Sequence, residues 1–421
     1  MSSTFRTSLQ SWRACTAAAF LLVADIPIPL RAQTPLPPVP TPLGFQAALD
    51  LATSRNLGLE AARRQRAIRE AAIRIARQIP NPDVSLEMTR DTPHQATSFD
   101  LPIEIGGRRG RRIDLANEEL TLADVDVRTE LRVVRREVRQ AFFSLIAADQ
   151  RVQLSEGVIE IARRVRDAAQ SRFETGAAPR LEVMQAELGV TRAETDVELA
   201  RGTRAAVQAG LNAVLNLPPQ QILTLAGSLS DRAGAPAYEQ ALALATASNV
   251  DLVRLDREIA VEQRRVDLLR AERTPTPIFS FGVVLNNPPD FTVGPRAAIS
   301  IGIPLFTRNQ GEIAESIAAA SQLRAVRDRT RRDVENSVFG TLARIDAERR
   351  QADSYQQRLV PTATDLESLA EESYRAGRTS VLAVLEAQRS LRDLSREALQ
   401  AALDLQLSLA DLEEILGTAL P

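Results

Sequence analysis

The chain has 421 residues, of which only 4% are aromatic, and a formal net charge of −2. This composition is typical of long helices rather than of ordinary globular domains, and the near-neutral charge excludes the basic surface that binds nucleic acid. Cys15 and His94 are the sole cysteine and histidine, which removes most thiol, histidine and metal chemistry. The sequence contains no nucleophile–base pair, phosphate loop or ligand cluster. We therefore expect no enzyme activity, no cofactor and no metal site.

Residues 1–32 have the organisation of an export signal. Arginines precede an apolar run from Ala14 to Ala24, and Ala32 supplies a small residue for cleavage. The apolar run is roughly half of the ~20 residues that a membrane-spanning helix needs, which argues against an anchor. Residues 33–43 are rich in proline and are expected to form a loose, extended lead-in.

Residues 44–219 predict a helix, a β-hairpin and two further helices. Helical spacing of apolar residues stops at Pro80 and Pro82. Two runs of alternating apolar and polar residues then predict a hairpin over 83–105. A heptad pattern predicts a long coiled-coil helix over 110–174, and a further helical pattern covers 181–215.

After a linker at 220–236, the same order returns in residues 237–417, followed by a tail at 418–421. The expected elements are a helix, a hairpin over 278–306, a long helix over 312–374 and a helix over 380–415. Three pairs of positions share an offset of 201 residues: Gly110 and Gly311, Phe173 and Tyr374, and Gly176 and Gly377 (311 − 110, 374 − 173, 377 − 176). This constant offset indicates a duplicated unit. Pro361 has no counterpart in the first repeat and predicts a mild kink in the second long helix.

The alternating runs are about as long as the ~9–11 residues with which a tilted strand crosses an outer membrane. Alternation alone favours a soluble sheet with one buried face. The export signal, the insertion of the hairpins between very long helices and the absence of a globular core favour a membrane instead. Four strands cannot close a barrel, so three chains supplying 12 strands are expected, and the helices would continue the barrel as a tube. Asp100 and Glu104 should point into the lumen. The residues expected to face lipid are Phe99, Leu101, Ile103, Phe279, Phe281, Ile299 and Ile301.

Three segments carry a resemblance to a known family. LPIEIGGRRGRR at 101–112, IPLFTRNQGEIAES at 303–316 and YRAGRTSVLAVLEAQR at 374–389 resemble the TolC-like outer membrane factors, and the first two are most similar to the cobalt-zinc-cadmium efflux branch. The resemblance implies a mainly α fold with a small membrane β part: a homotrimer with a 12-stranded barrel continued by a periplasmic coiled-coil tunnel. It further implies a passive exit duct of a tripartite efflux or type I secretion system, which contacts outer membrane lipid, a periplasmic adaptor and an inner-membrane pump.

The resemblance also implies roles for individual residues. The two helical tips would dock the adaptor, while simple turn chemistry, with Thr379 or Ser380 capping the next helix, explains the same residues. Family members often carry acids six and nine positions after the second tip glycine; Ala383 and Glu386 stand there, which leaves Glu386, and Glu182 in the first repeat, as candidate gate residues. A solvated helix face is the alternative for Glu386. The docking residues are Gly176, Ala177, Arg180, Gly377, Arg378, Thr379 and Ser380.

Two points stay open at the level of sequence. The arginines of GGRRGRR, at 106–112, lie where a strand becomes a helix, and we expect them to anchor near lipid headgroups. A secreted or periplasmic coiled-coil adaptor or structural protein without a channel is the competing function. An adaptor should show one helical hairpin flanked by glycine- and valine-rich β domains, whereas this chain shows two hairpins. The cargo, whether metal ions, drugs, organic molecules or peptides, does not follow from the sequence.

Overall fold

The structure is a computed structural model that describes residues 41–91, 94–231, 234–287 and 291–420. The expected export signal at 1–32 and most of the lead-in at 33–43 lie outside these ranges. Within the described residues, every helix is either too short or too polar to cross a membrane.

The first repeat contains two strands and four helices after a short strand. Its elements are β1 (Leu43–Gly44), α1 (Phe45–Arg55), α2 (Leu57–Ala76), β2 (Asp83–Met88), β3 (Gln95–Pro102), α3 (Arg108–Glu174) and α4 (Arg180–Val214). At about 1.5 Å per residue, the 67 residues of α3 form a rod about 100 Å long.

The second repeat follows the same order, with a short strand in the linker. Its elements are β4 (Leu225–Ala226), α5 (Tyr238–Ser248), α6 (Val250–Ala271), β5 (Pro277–Asn287), β6 (Phe291–Ile301), α7 (Gln310–Ser354), α8 (Val360–Arg375) and α9 (Val381–Leu416). A π-helical turn at Tyr355–Leu359 joins α7 to α8. The expected kink at Pro361 thus takes the form of a widened turn just before the proline, which lacks the N–H that a regular helix would use there.

The first helix of each repeat is divided by an asparagine, which the sequence pattern did not predict. Asn56 and Asn249 are extended, with ψ of 126° and 123°, and each side chain caps the following helix. The Asn56 side chain accepts from the Leu59 N–H at 3.0 Å. These two positions precede the hairpins and are offset by 193 residues (249 − 56), whereas positions after the hairpins are offset by 201. The offset grows because the second hairpin is longer: β5 and β6 have 11 residues each, whereas β2 and β3 have 6 and 8.

The four longer strands form one antiparallel sheet in the order β2-β3-β5-β6. Both expected hairpins extend past the observed strand ends. The third strand ends at Pro102, so Ile103 lies one residue beyond it, although its N–H still donates to the Pro277 carbonyl at 2.9 Å. β6 likewise ends at Ile301. Ile103 thus lies one residue past the strand, and the ladder ends there because Pro277 has no N–H with which to return a hydrogen bond.

The helices pack mainly through small and branched side chains. α3 runs against α2, α4, α6 and α9, and α7 runs against α6 and α9. Ala162, Val190 and Ala193 form one buried contact between α3 and α4, where alanines allow the helix axes to approach. Phe45, Phe142 and Phe143 meet with ring centroids 5.5–5.9 Å apart and make the main aromatic cluster.

The linker at 220–236 is held against the helices by buried amides. Gln406, fully buried, donates to the carbonyls of Leu229 (3.1 Å) and Asp231 (2.8 Å). Asn212, also fully buried, donates to the Pro219 and Gln221 carbonyls. Leu43, expected in the loose lead-in, is instead fully buried and pairs with Leu225 in a parallel β1–β4 ladder.

Candidate functional site

Each repeat turns at a glycine in the left-handed conformation. Gly176 has φ 74° and Gly377 has φ 72°. The Gly176 N–H donates to the Phe173 carbonyl at 2.9 Å and the Ala177 N–H to the Arg172 carbonyl at 2.8 Å. This pair of bonds is a Schellman motif, which satisfies carbonyls at the end of α3. The same two bonds recur around Gly377, so the local geometry of the two tips is duplicated along with the sequence.

The next helix is not capped in the expected way. Ser380 occupies the N-cap position of α9 but its side chain makes no capping bond. The Thr379 hydroxyl is buried without a hydrogen-bond partner among the described residues. Instead, the Ser380 carbonyl accepts from the Ala383 N–H at 3.1 Å. The residues expected to dock a partner, apart from the half-buried Thr379, are exposed.

A shared apolar core joins the two tips. Its buried side chains come from α3, α4, α8 and α9, and Tyr374 is the largest of them at 1% exposure. The equivalent residue in the first repeat, Phe173, is 41% exposed. The aromatic residue of one tip is thus buried between the repeats while that of the other faces outward. The buried members are Val165, Ala169, Val183, Ala186, Tyr374, Val381 and Val384.

Tyr374 is held by partners from the first repeat. Its hydroxyl donates to the Glu182 Oε2 atom at 2.9 Å, and the Arg172 guanidinium lies 4.5 Å from its ring centroid. Arg172 also donates to the Tyr374 carbonyl at 2.7 Å. Burial, reinforced by the hydrogen bond to Glu182, raises the pKa of Tyr374 from its ordinary 10.0 to about 12. The phenol therefore stays protonated and links α8 to α4 across the repeat boundary.

The two candidate gate residues have different surroundings. Glu182 accepts the Tyr374 hydroxyl inside the tip cluster. Glu386 is exposed, with 61% of its side chain accessible, and pairs with Arg389 at 3.0 Å, as expected for a solvated helix face in a single chain. Sequence reasoning noticed that Tyr374 is equivalent to Phe173 but missed its link to Glu182, because the partners lie 192 residues apart.

A buried carboxyl group lies behind the second tip. Glu367 on α8 is 7% exposed. Its neighbours include Glu371, Arg164 and Gln388. Burial, reinforced by the charge of Glu371, raises the pKa of Glu367 above its ordinary 4.5, so ionisation of this group works against the packing of α8.

The strand residues expected to face lipid share one face of the sheet. Phe99 pairs with Phe281, Leu101 with Phe279, and Phe279 in turn with Ile299. Because directly opposed residues point to the same side, these side chains form a continuous apolar surface, to which Ile301 adds by pairing with Pro277. The opposite face carries Ser85, Ser98, Asp100 and Ser280. The sheet is therefore apolar on one side and polar on the other.

The arginines between β3 and α3 bind backbone carbonyls. Arg108 donates to the Glu272 and Thr274 carbonyls at the end of α6, and Arg112 donates to the Ala76 and Gln78 carbonyls after α2. Arg112 also pairs with Glu104 at 2.7 Å. Arg108 and Arg112 therefore fasten the junction of strands and helices, because carbonyls at helix ends lack internal donors. The anchoring of these arginines near lipid headgroups and the orientation of Glu104 toward the lumen stay predictions.

The comparisons with known proteins agree with this geometry. A family model described as outer membrane efflux protein matches residues 48–217 and 241–418. The two starts differ by 193 residues (241 − 48) and the two ends by 201 (418 − 217), which are the two offsets found in the repeats.

Individual relatives cover most of the chain. The cobalt-zinc-cadmium resistance protein CzcC of Cupriavidus metallidurans is 28% identical over 354 residues, covering 83% of this chain and 84% of that protein. The pyoverdine export outer membrane protein OpmQ of Pseudomonas putida is 24% identical over 370 residues, covering 80% and 77%. A solved structure of CusC, described in terms of transmembrane channel formation, superposes with a TM-score of 0.75 at 16% identity, covering 89% and 92%.

The family match extends over far more than half of the chain, and the mainly helical fold class with its small β part is confirmed. The family match places the chain at the outer membrane, with its helical part in the periplasm. The chain belongs to the outer membrane efflux protein family and is a passive exit duct of the outer membrane rather than an enzyme.

Proposed function

We propose that three copies of this chain form the duct, with a 12-stranded barrel in the outer membrane and six helical tips in the periplasm. The observation that carries the proposal is the one-sided sheet with two open edges. Among the described residues, β2 and β6 each have one partner strand, and an open edge is not tolerated in lipid. Pairing of β6 with β2 of the next copy removes every edge after three copies.

The apolar face of the sheet is the side that would meet lipid. Ile299 is 62% exposed and Phe281 is 54% exposed, although apolar side chains of this size are normally buried. The polar face, with Asp100 and Ser280, would line the lumen, as in other membrane barrels.

The tips are the proposed docking surface for a periplasmic adaptor, which would connect the duct to an inner-membrane pump. Most turn residues from Gly176 to Arg180 and from Gly377 to Ser380 are exposed and accessible to a partner, whereas Ala178 is buried and Thr379 is half-buried. The Tyr374–Glu182 hydrogen bond ties the second tip to the first repeat. Breaking this bond would free the second tip to swing, so we assign it as the latch of the closed duct, with Glu386 as the acid exposed beside it.

The relatives suggest a cargo class. CzcC is named for cobalt, zinc and cadmium resistance, and it is more similar to this chain than the pyoverdine exporter OpmQ is. Heavy-metal efflux is accordingly the proposed task, with the choice of ion made by the pump. Among the described residues, no group of histidine, cysteine and carboxylate side chains could hold a metal ion.

Membrane assembly tests the proposal. Phe279→Arg puts a charge on the apolar face, which costs about 2–4 kcal/mol at the middle of a membrane, and should abolish the detergent-extracted trimer. Ser280→Arg, one residue away on the polar face, is the matched control and should assemble normally. Native mass spectrometry of the extracted protein reads out both. Equal trimer yields would refute the strand orientation, and extraction by salt alone would favour a periplasmic coiled-coil protein without a channel.

A further inference from the structure

Five arginines line one face of α3 about a third of the way along the helix. Their spacing keeps them within about 100° around the helix axis. The face borders a cavity of about 370 Å³ between α3, the start of α6 and the end of α9, and a second cavity of about 500 Å³ adjoins it. Arg135 lines both cavities. The arginines are Arg128, Arg132, Arg135, Arg136 and Arg139.

Internal carboxylates neutralise only part of this charge. Arg132 pairs with Asp251 at 3.1 Å, Arg136 with Glu414 at 2.6 Å, and Arg139 with Glu413 at 2.7 Å. That leaves two of the five guanidinium groups without a carboxylate. Arg128 and Arg135 make no hydrogen bond or ion pair with any described residue, and both line the first cavity.

Three of the arginines also carry buried hydrogen-bond donors that have no acceptor in the described part of the chain. The Nε atoms of Arg132, Arg136 and Arg139 are buried without an acceptor among the residues described. Arg139 is only 5% exposed, so water reaches its guanidinium poorly. Buried donors in native proteins normally have partners, and an unsatisfied one calls for a bound ion or water.

We propose that this face binds a small oxyanion with at least two negative charges, of the phosphate type. Guanidinium groups match the oxygens of such an anion through paired N–H donors, and the two unpaired arginines supply the compensating charge. A cavity of about 370 Å³ is large enough for an anion and its hydration water.

The position of the five arginines along α3 distinguishes a phosphate of a lipid headgroup from a free phosphate anion. Arg128 and Arg139 lie 20 and 31 residues after the first residue of α3, Arg108. At 1.5 Å per residue this places the site about 30–45 Å from the strand end of the helix. A lipid headgroup at the membrane surface does not reach so far, so the ligand is a free anion of the periplasm.

Calorimetric titration of the full-length protein in detergent with inorganic phosphate tests the proposal, at constant ionic strength maintained with chloride. We expect saturable binding of one phosphate per chain. Arg135→Gln and Arg128→Gln should each weaken it about tenfold or more, because each removes a charge-assisted hydrogen bond. Because neither side chain pairs with another described residue, both variants should fold normally. A melting temperature equal to that of the parent in the absence of phosphate would verify this.

The matched control is Arg151→Gln, on the same helix at half-buried Arg151, which borders neither cavity. This variant should bind phosphate as the parent does. Equal weakening in all three variants would show a general charge effect and overturn the site, as would the absence of saturable binding by the parent. Competition by phosphatidylglycerol vesicles would identify a headgroup as the ligand and refute the assignment to a free anion.

Discussion

Replacing Tyr374 by phenylalanine removes one hydroxyl from the centre of the tip cluster. The ring, 1% exposed, and its stacking under Arg172 would remain. A hydrogen bond to a charged group contributes about 1.5–3 kcal/mol. Because Glu182 is only half-buried and water can solvate its freed carboxylate, we expect the lower end, about 1.5 kcal/mol. That loss corresponds to a roughly tenfold larger population of tips released from α4.

Hydrogen exchange of the backbone amides in α4 and α8 next to the tips measures this opening directly. Reconstituted trimers should also show more frequent open-channel events in planar bilayers. Tyr355→Phe is the matched control, since Tyr355 donates to Glu397 at 3.0 Å at an exposed position. Its removal should change exchange by less than about 0.5 kcal/mol.

A double-mutant cycle with Glu182→Ala isolates the latch. If the Tyr374–Glu182 hydrogen bond accounts for the increased opening, Glu182→Ala should add little to the opening of the Tyr374→Phe variant. The coupling energy between the two substitutions would then be about 1 kcal/mol. Additive effects, or exchange at the tips equal to that of the parent, would refute the latch while leaving the duct itself untouched.

Three further outcomes are expected. The raised pKa of Tyr374 means that the folded tip holds its proton to higher pH than the unfolded chain, so thermal stability should fall as pH rises from 10.0 to about 12. Tyr374→Phe should make this fall smaller. Glu367 also has a raised pKa, so its stability contribution is lost as pH rises above about 4.5; Glu367→Gln should raise the melting temperature at pH 7 but not at pH 4. Gly282→Ala would place a Cβ 2.1 Å from the Thr97 carbonyl oxygen and should reduce trimer yield, whereas Gly302→Ala, in open space, should not; equal yields would show that the β3–β5 register differs.

The long elements could be predicted because periodicity is a local signal. Heptads identify α3, and alternation identifies the strands, each within a few residues. The divisions at Asn56 and Asn249 were missed because neither asparagine is accompanied by a proline that would mark a break, and the capping bonds reveal it. The strand ends were placed too late because apolar residues such as Ile105 continue the alternation past the last hydrogen bond to β5, which Ile103 makes.

The contacts of the tips and of the strand–helix junctions were less accessible to sequence reasoning. A sequence shows that Arg108 and Arg112 are charged. It does not show that backbone carbonyls at the ends of α2 and α6 lack hydrogen-bond donors within their own helices. The same limit applies to Tyr374 and Glu182, which come together only when the repeats pack. Glycine turns, by contrast, were predictable at Gly176 and Gly377 because a left-handed residue after a helix is usually glycine.

The outward Phe173 and the inward Tyr374 reduce the symmetry of the proposed assembly. Were the tips alike, three chains would present a ring with a sixfold axis. With one aromatic residue exposed and the other buried, the ring alternates between apolar and latched tips and retains only a threefold axis. A partner that assembles as a ring of six identical subunits would therefore bind in two distinct environments. Only every second subunit would meet a tip that is able to swing.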